Sequence, residues 1–206
     1  MKKAALIVFV ILLLDQILKI WIKTHMYMGE THPVLGQWFF IHFTENEGMA
    51  FGMQLGGDYG KLLLSLFRII AIIFLGYWIY KVSLRPGNTM LLVCISLIMA
   101  GALGNIIDSA FYGLIFNEST YMQVASLFPP EGGYGTFLHG KVVDMLYFPI
   151  IDSHYPSWFP VVGGDHFIFF RPVFNIADSA ITTGVLMLIV FQKKVFPTPK
   201  DEESAQ

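Results

Sequence analysis

Four apolar stretches, placed near 4–23, 62–81, 89–112 and 173–192, are each long enough to cross a hydrocarbon core as a helix, which takes about 20 residues rising roughly 1.5 Å each. This feature limits the fold more than any other. A segment inside lipid has no water to bond its backbone and must satisfy those groups internally. Composition agrees: 55% of the 206 residues are hydrophobic and 14% charged, where soluble domains carry about 25% charged residues. The mean hydropathy of +0.60, with 19 Phe, 9 Tyr and 4 Trp, also excludes a disordered chain, which lacks the apolar surface to offset its entropy. Net charge is −2 and no long basic run is present. The field that gathers phosphate backbones is therefore missing, and no nucleic-acid partner is expected. The single cysteine, Cys94, leaves no intrachain disulfide and no zinc site built from several thiolates.

The first stretch begins like a secretory signal, with Lys2 and Lys3 before Ala4 to Leu14, but Asp15 and Gln16 follow where a small-residue cleavage site would stand. A retained first helix is expected. Lys2, Lys3, Lys81, Arg85, Lys193, Lys194 and Lys200 fall on one side if both termini are cytoplasmic, in keeping with the bias of Lys and Arg to cytoplasmic loops. The outer side then holds loops 24–61 and 113–172. Trp38 to Phe43 favours strand, and Gly48, Gly52, Gly56 and Gly57 follow it, so a small sheet at the membrane surface is expected. Pro129-Pro130, Gly132-Gly133, Pro156, Pro160 and Gly163-Gly164, interleaved with aromatics, predict a turn-rich, membrane-hugging second loop. The fold class read from these features is an α-helical polytopic membrane protein. It has four transmembrane helices, a small periplasmic β-platform and a long periplasmic loop insertion. Residues 1–196 form one integral membrane domain and 197–206 a solvated cytoplasmic tail.

Each intramembrane Asp or Lys costs about 2.5 to 3.5 kcal/mol on insertion scales and calls for a partner, a cavity or a function. Asp15 and Lys19 are four apart, and Asn105 and Asp108, like Asn175 and Asp178, are three apart. Each pair shares a helix face. Counting rise places all of them in the outer half of the bilayer. If the faces converge, they line one polar pocket, over which Asp144 of the outer loop could fold. Plainer roles stand beside this reading. Asp15 and Lys19 also fit a structural ion pair, Asn105 a helix-packing amide, and Asn175 or Asp178 a helix cap; Asp144 alone is a loop carboxylate.

Other chemistries lack their patterns. The histidines at 25, 32, 42, 139, 154 and 166 show no His-Glu-x-x-His spacing, no Gly-x-Ser-x-Gly elbow occurs, and the glycines at 132, 133 and 135 lack the Lys-Ser/Thr ending of a phosphate loop. Carboxylate chemistry remains, with no metal or cofactor expected. The rival classes are a small transporter or ion pathway, for which no internal repeat is visible, and a non-catalytic membrane scaffold. Val162-Gly163-Gly164-Asp165 does not match the Gly-x-Gly-Asp of another intramembrane aspartyl protease type.

Five blocks in order resemble the bacterial lipoprotein signal peptidases, also called signal peptidase II, which are intramembrane aspartyl proteases. They are Asp15 to Lys19, Asn46 to Phe51, Gly101 to Asp108, Gly140 to Asp144 and Phe174 to Ile181. The resemblance implies removal of the signal peptide from a diacylglyceryl-modified prolipoprotein, cut before the lipidated cysteine, at a site facing the periplasm from the bacterial inner membrane. It implies Asp144 and Asp178 as the catalytic pair, with Asp15, Lys19, Asn46, Gly48, Gly101, Asn105, Asp108 and Asn175 supporting site and substrate. It further implies membrane lipid and globomycin-type inhibitors as binding partners; a monomer is expected. Two departures stand out. Ser109 follows Asp108 where the family usually shows Arg, so Arg68 or Arg171 is expected to supply the missing guanidinium. The spacings from Asp108 to Asp144 and from Asp144 to Asp178 are also longer than usual for the family.

Overall fold

The computed structural model describes residues 1–47, 57–84 and 87–196. Three helices are long and apolar enough to cross a membrane. They are α1 (Lys2–His25), α2 (Gly57–Ser83) and α3 (Thr89–Ile107), the last continued by a π-helical turn, Asp108–Tyr112, and the short α4 (Gly113–Ile115). Leu6, Phe9 and Ile17 on α1, and Leu63, Phe67, Ile70 and Phe74 on α2, are exposed. Water penalises such a surface and lipid accepts it.

The fourth apolar segment departs from its expected bounds. Residues 173–174 are not helical but form a strand, and α5 (Ile176–Val190) is 15 residues long, about 22 Å. It is followed by α6 (Gln192–Val195). Its late start follows from Asn175, whose side chain accepts a hydrogen bond from the Asp178 N–H at 2.8 Å and caps the helix there. The expected tail at 197–206 and the glycines at 48, 52 and 56 lie outside the described residues.

The small sheet expected from the first loop is present, and the second loop supplies half of it. Strands β1 (Thr31–Leu35), β2 (Phe39–Asn46), β3 (Val142–Tyr147) and β6 (Val173–Phe174) pair antiparallel in the order β1-β2-β3-β6. A separate hairpin, β4 (Ile151–His154) and β5 (His166–Phe169), extends from it. The β2 register shifts by one residue between Ile41, opposite Leu146, and Thr44, opposite Asp144. Phe43, within this bulge, turns its backbone to Glu30 and Gly29, at 2.9 and 2.8 Å. Such a bulge re-aims the strand beyond it. Because side chains alternate along a strand, Val143 and Met145 enter a core with Phe43, Ile22, Met26, Tyr112 and Phe116, while Asp144 takes the other face.

α3 and α5 lie in close contact because small residues face each other. A Cβ on Gly101 would stand 2.1 Å from the Ala177 carbonyl oxygen, and one on Gly104 2.9 Å from the Ala177 Cβ. Backbones pack this closely only where side chains are missing. Gly101→Ala is therefore expected to push α5 off α3 and cost about 1–3 kcal/mol, read as a lower Tm in detergent. An unchanged Tm would mean the two helices separate without strain.

Candidate active site

A single cation organises the polar interior. Lys19, wholly buried on α1, bridges Asp15 at 2.9 Å and Asp108 at 2.8 Å and donates to Asn105 Oδ1 at 3.0 Å. Each bridged carboxylate also holds a backbone N–H next to a further aspartate. Asp15 Oδ1 accepts from Ala177 N at 2.9 Å, immediately before Asp178. Asp108 Oδ2 accepts from Val143 N at 3.3 Å, immediately before Asp144. Lys19 thus sets the height of α5 against α1 and of β3 against the end of α3.

Asp144 and Asp178 are linked through two amides. Asn175 Nδ2 donates to Asp144 Oδ1 at 2.7 Å and lies within reach of Asn105 Oδ1 and the Val143 carbonyl, at 3.1 and 3.2 Å. Its two hydrogens are shared among three acceptors. Asn105 Nδ2 donates to Asp178 Oδ1 at 2.7 Å, and Asp178 Oδ2 accepts from Asn175 N at 3.4 Å, closing a capping box. Asn46, at the end of β2, donates to the other oxygen of Asp144. The packing and capping readings of Asn105, Asn175 and Asp178 are therefore compatible with the functional ones: one network of side chains caps the helix and binds the carboxylates.

Asp144 is 3% exposed. Burial first, and the neighbouring Asp178 charge second, push its carboxyl up to about 7, since both disfavour a second anion in a poorly hydrated site. Of the two arginines expected near the acids, Arg68 on α2 is within Coulombic reach of Asp178, Asp108 and Asp144; Arg171 is exposed. Ser109 is buried and turns its hydroxyl back to the Asn105 carbonyl at 3.0 Å. Its own carbonyl accepts from Gly140 N at 2.8 Å, so the long loop packs against Ser109.

Asp15, Lys19, Asn46, Asn105, Asp108, Asp144, Asn175 and Asp178 are thus brought together, Gly101 serves helix contact, and Gly48 lies outside the described residues. The sequence reading gave no role to Gln16, which donates to Asp108 Oδ1 at 2.9 Å and accepts from the Tyr112 hydroxyl at 3.2 Å. It also missed two ties on the long loop. Lys23, one turn beyond Lys19 and wholly buried, pairs with Glu45 and donates to Ser119 Oγ at 2.8 Å, beneath the Tyr134 ring. Lys61 pairs with Glu47 and donates to the His139 carbonyl at 2.7 Å. The position of Lys23, four residues after Lys19 on the same face, was the available signal. Among the described residues, no group of three or more His, Cys, Asp or Glu is placed to hold a metal ion.

Lys19→Met would leave Asp15 and Asp108 buried without their cation. Breaking such a pair costs about 3–5 kcal/mol, so a strongly lowered Tm and poor recovery of folded protein are expected. A wild-type melting curve would show that the cation is dispensable.

A family model described as signal peptidase (SPase) II matches residues 7–193. The chain is 52% identical over 190 residues to a lipoprotein signal peptidase of Porphyromonas gingivalis, strain ATCC 33277, covering 92% of this chain and 82% of the relative. It is 36% identical to one of Amoebophilus asiaticus, strain 5a2, covering 93% and 78%. A solved structure described as a bacterial membrane enzyme, determined by the in meso method at 1.9 Å resolution, superposes with a TM-score of 0.62 at 27% identity, covering 96% of each chain.

Proposed function

The chain belongs to the signal peptidase II family, and from that membership we propose that it removes the signal peptides of prolipoproteins by aspartyl-dyad hydrolysis, with Asp144 and Asp178 as the dyad. The observation that carries this reading is the linkage of these two carboxyls through Asn175 and Asn105, with Asp144 pushed up to about 7. The substrate is a prolipoprotein bearing diacylglycerol on the cysteine that follows the cut. The protein is a multi-pass enzyme of the bacterial inner membrane, with α5 as the short fourth span, both termini cytoplasmic and the site open to the periplasm. Globomycin-type inhibitors occupy the same cleft.

The environments divide the labour. Asp144, its carboxyl pushed up to about 7, takes the part of the acid, and Asp178, in the first turn of α5 at the positive end of the helix dipole, takes that of the base. Asp178 takes a proton from a water whose oxygen attacks the scissile carbonyl, while Asp144 gives its proton to the carbonyl oxygen. The tetrahedral gem-diol then collapses. Asp144 recovers a proton from one of its hydroxyls, Asp178 protonates the departing amine, and the C–N bond breaks. The pair again shares one proton, as coupled carboxyls in other aspartyl proteases do.

Asp144→Asn and Asp178→Asn are each expected to lower cleavage of a diacylglyceryl prolipoprotein by at least about 100-fold, with the helical circular dichroism unchanged. In the wild type, the rate should fall through about pH 7 on the alkaline side. There Asp144 loses the proton it must donate and places a second charge beside Asp178. A rate that is flat from pH 6 to 9 would overturn the assignment of the acid. Arg68 takes the part of the absent guanidinium, opposing the charge of the acidic site. Arg68→Gln should slow cleavage on the order of tenfold, equivalent to about 1.4 kcal/mol of barrier, and Arg171→Gln should cleave at the wild-type rate. Equal rates for both variants would refute this role for Arg68.

A further inference from the structure

The hairpin β4–β5 takes no part in the site, yet its two faces differ in kind. Residues directly opposite in an antiparallel pair share a face, and faces alternate along the strand. Ile151 opposite Phe169 and Ser153 opposite Phe167 make one face, which Tyr155 extends by ring contact with Phe167 at 5.0 Å. Asp152 opposite Ile168 and His154 opposite His166 make the other, where His166 pairs with Asp152 at 2.5 Å. The tip between Tyr155 and Gly164 contains no charged residue, and its Trp158 and Val161 are 77% and fully exposed. Ile151 and Phe169 are also half exposed. A lone two-stranded hairpin is marginal in water, and an uncovered apolar face makes it more so.

The surroundings of the root indicate what covers that face. An unbroken aromatic row runs from Phe170 to Phe174, Phe148 and Phe39, with centroid separations of 6.1, 5.8 and 4.5 Å, and ends at Trp38, 6.0 Å from Phe148. It crosses the sheet whose last strand, β6, leads directly into α5. Rows of aromatics beside apolar helices mark the membrane–water interface, where a ring sits between hydrocarbon and headgroups. No Lys or Arg lies between Lys141 and Arg171, so attachment here does not depend on anionic headgroups.

We propose that the hairpin is an interfacial arm whose Ile151, Phe167, Phe169 and Trp158 side lies in the lipid headgroup layer beside the site, with His154, His166 and Asp152 turned to water. The arm continues the lipid-covered surface of the helices onto the sheet and holds the strand bearing Asp144 level with the membrane. This rests on the residence of the chain in a membrane and not on its cleavage chemistry.

The test places the full chain in nanodiscs of phosphatidylcholine brominated near the head of the acyl chains. The emission of Trp158 is read as the difference between wild type and Trp158→Phe, a change that keeps an aromatic ring. Loss of most of that emission to the bromines, with little quenching by aqueous iodide, is the expected result. Quenching by iodide as for a free indole, with none from bromine, would overturn the proposal. Protection from both quenchers would overturn it too, because a protein surface or a second copy would then cover the arm. Asp144→Asn should give the same quenching as wild type, so failure of the arm and failure of the dyad are read separately.

Discussion

The contact on which the architecture depends is the burial of one ammonium between two carboxylates, Lys19 between Asp15 and Asp108. Three charges removed from water would be costly alone; together, with their remaining valences filled by Asn105, Gln16 and two backbone N–H groups, they compensate one another. The consequence reaches beyond stability. Each carboxylate grips the peptide N–H beside one aspartate of the proposed dyad, so the cluster converts the packing of α1 on α3 into the relative position of β3 and α5. A dyad drawn from a strand and a helix, 34 residues apart in sequence (178 − 144), needs such a common reference. Hydrogen bonds to charged groups are about twice as strong as neutral ones, which makes this reference stiff.

Much of this was legible in the sequence because lipid makes polar residues expensive. A charge placed in an apolar run advertises a partner, and the spacing of Asp15 and Lys19 or of Asn105 and Asp108 names the helix face that carries it. The membrane helices follow from length and hydropathy; α2 starts at Gly57, five residues before its expected bound, and α5 starts at Ile176, three after, with Val173 and Phe174 in a strand. There the apolar pattern is the same for a helix as for a strand, and pairing with β3 decided between them. Gln16 and Tyr112 were invisible for another reason. Their roles depend on which residues meet across helices, and a lone polar residue at a helix surface has no spacing partner to reveal it.

The long loop was the least legible part, and its anchoring explains why. Residues 113–141 carry no strand of the main sheet, so periodicity has little to act on. Beyond Phe116 and Ala125 in the core, side-chain ties from the helices hold them. Lys23 reaches up from α1 to Ser119 and Glu45, Lys61 reaches from α2 to the His139 carbonyl, and Gly140 lies so close to the end of α3 that a Cβ would stand 2.2 Å from the Asp108 carbonyl oxygen. These ties place the loop over Ser109. The loop thus takes the space beside Ser109, and Arg68 lies within Coulombic reach of the acids from the α2 side.

The difference between Asp144 and Asp178 in the proposed dyad follows from the elements that carry them. Asp144 lies on a strand, with no helix dipole to favour its anion, and is enclosed on the Lys19 side of the site with two amides as its donors. Asp178 is the third residue of a helix, where unpaired N–H groups concentrate positive charge, and Arg68 lies within Coulombic reach of it. Two identical side chains thus stand in different surroundings without any difference in covalent chemistry. The sequence carries the distinction in Asn175: as cap it begins the helix that bears Asp178, and as donor it reaches the carboxyl of Asp144. A residue tying both environments in one side chain couples helix initiation to the placement of both carboxyls, so the fold and the geometry of the site arise from the same few hydrogen bonds.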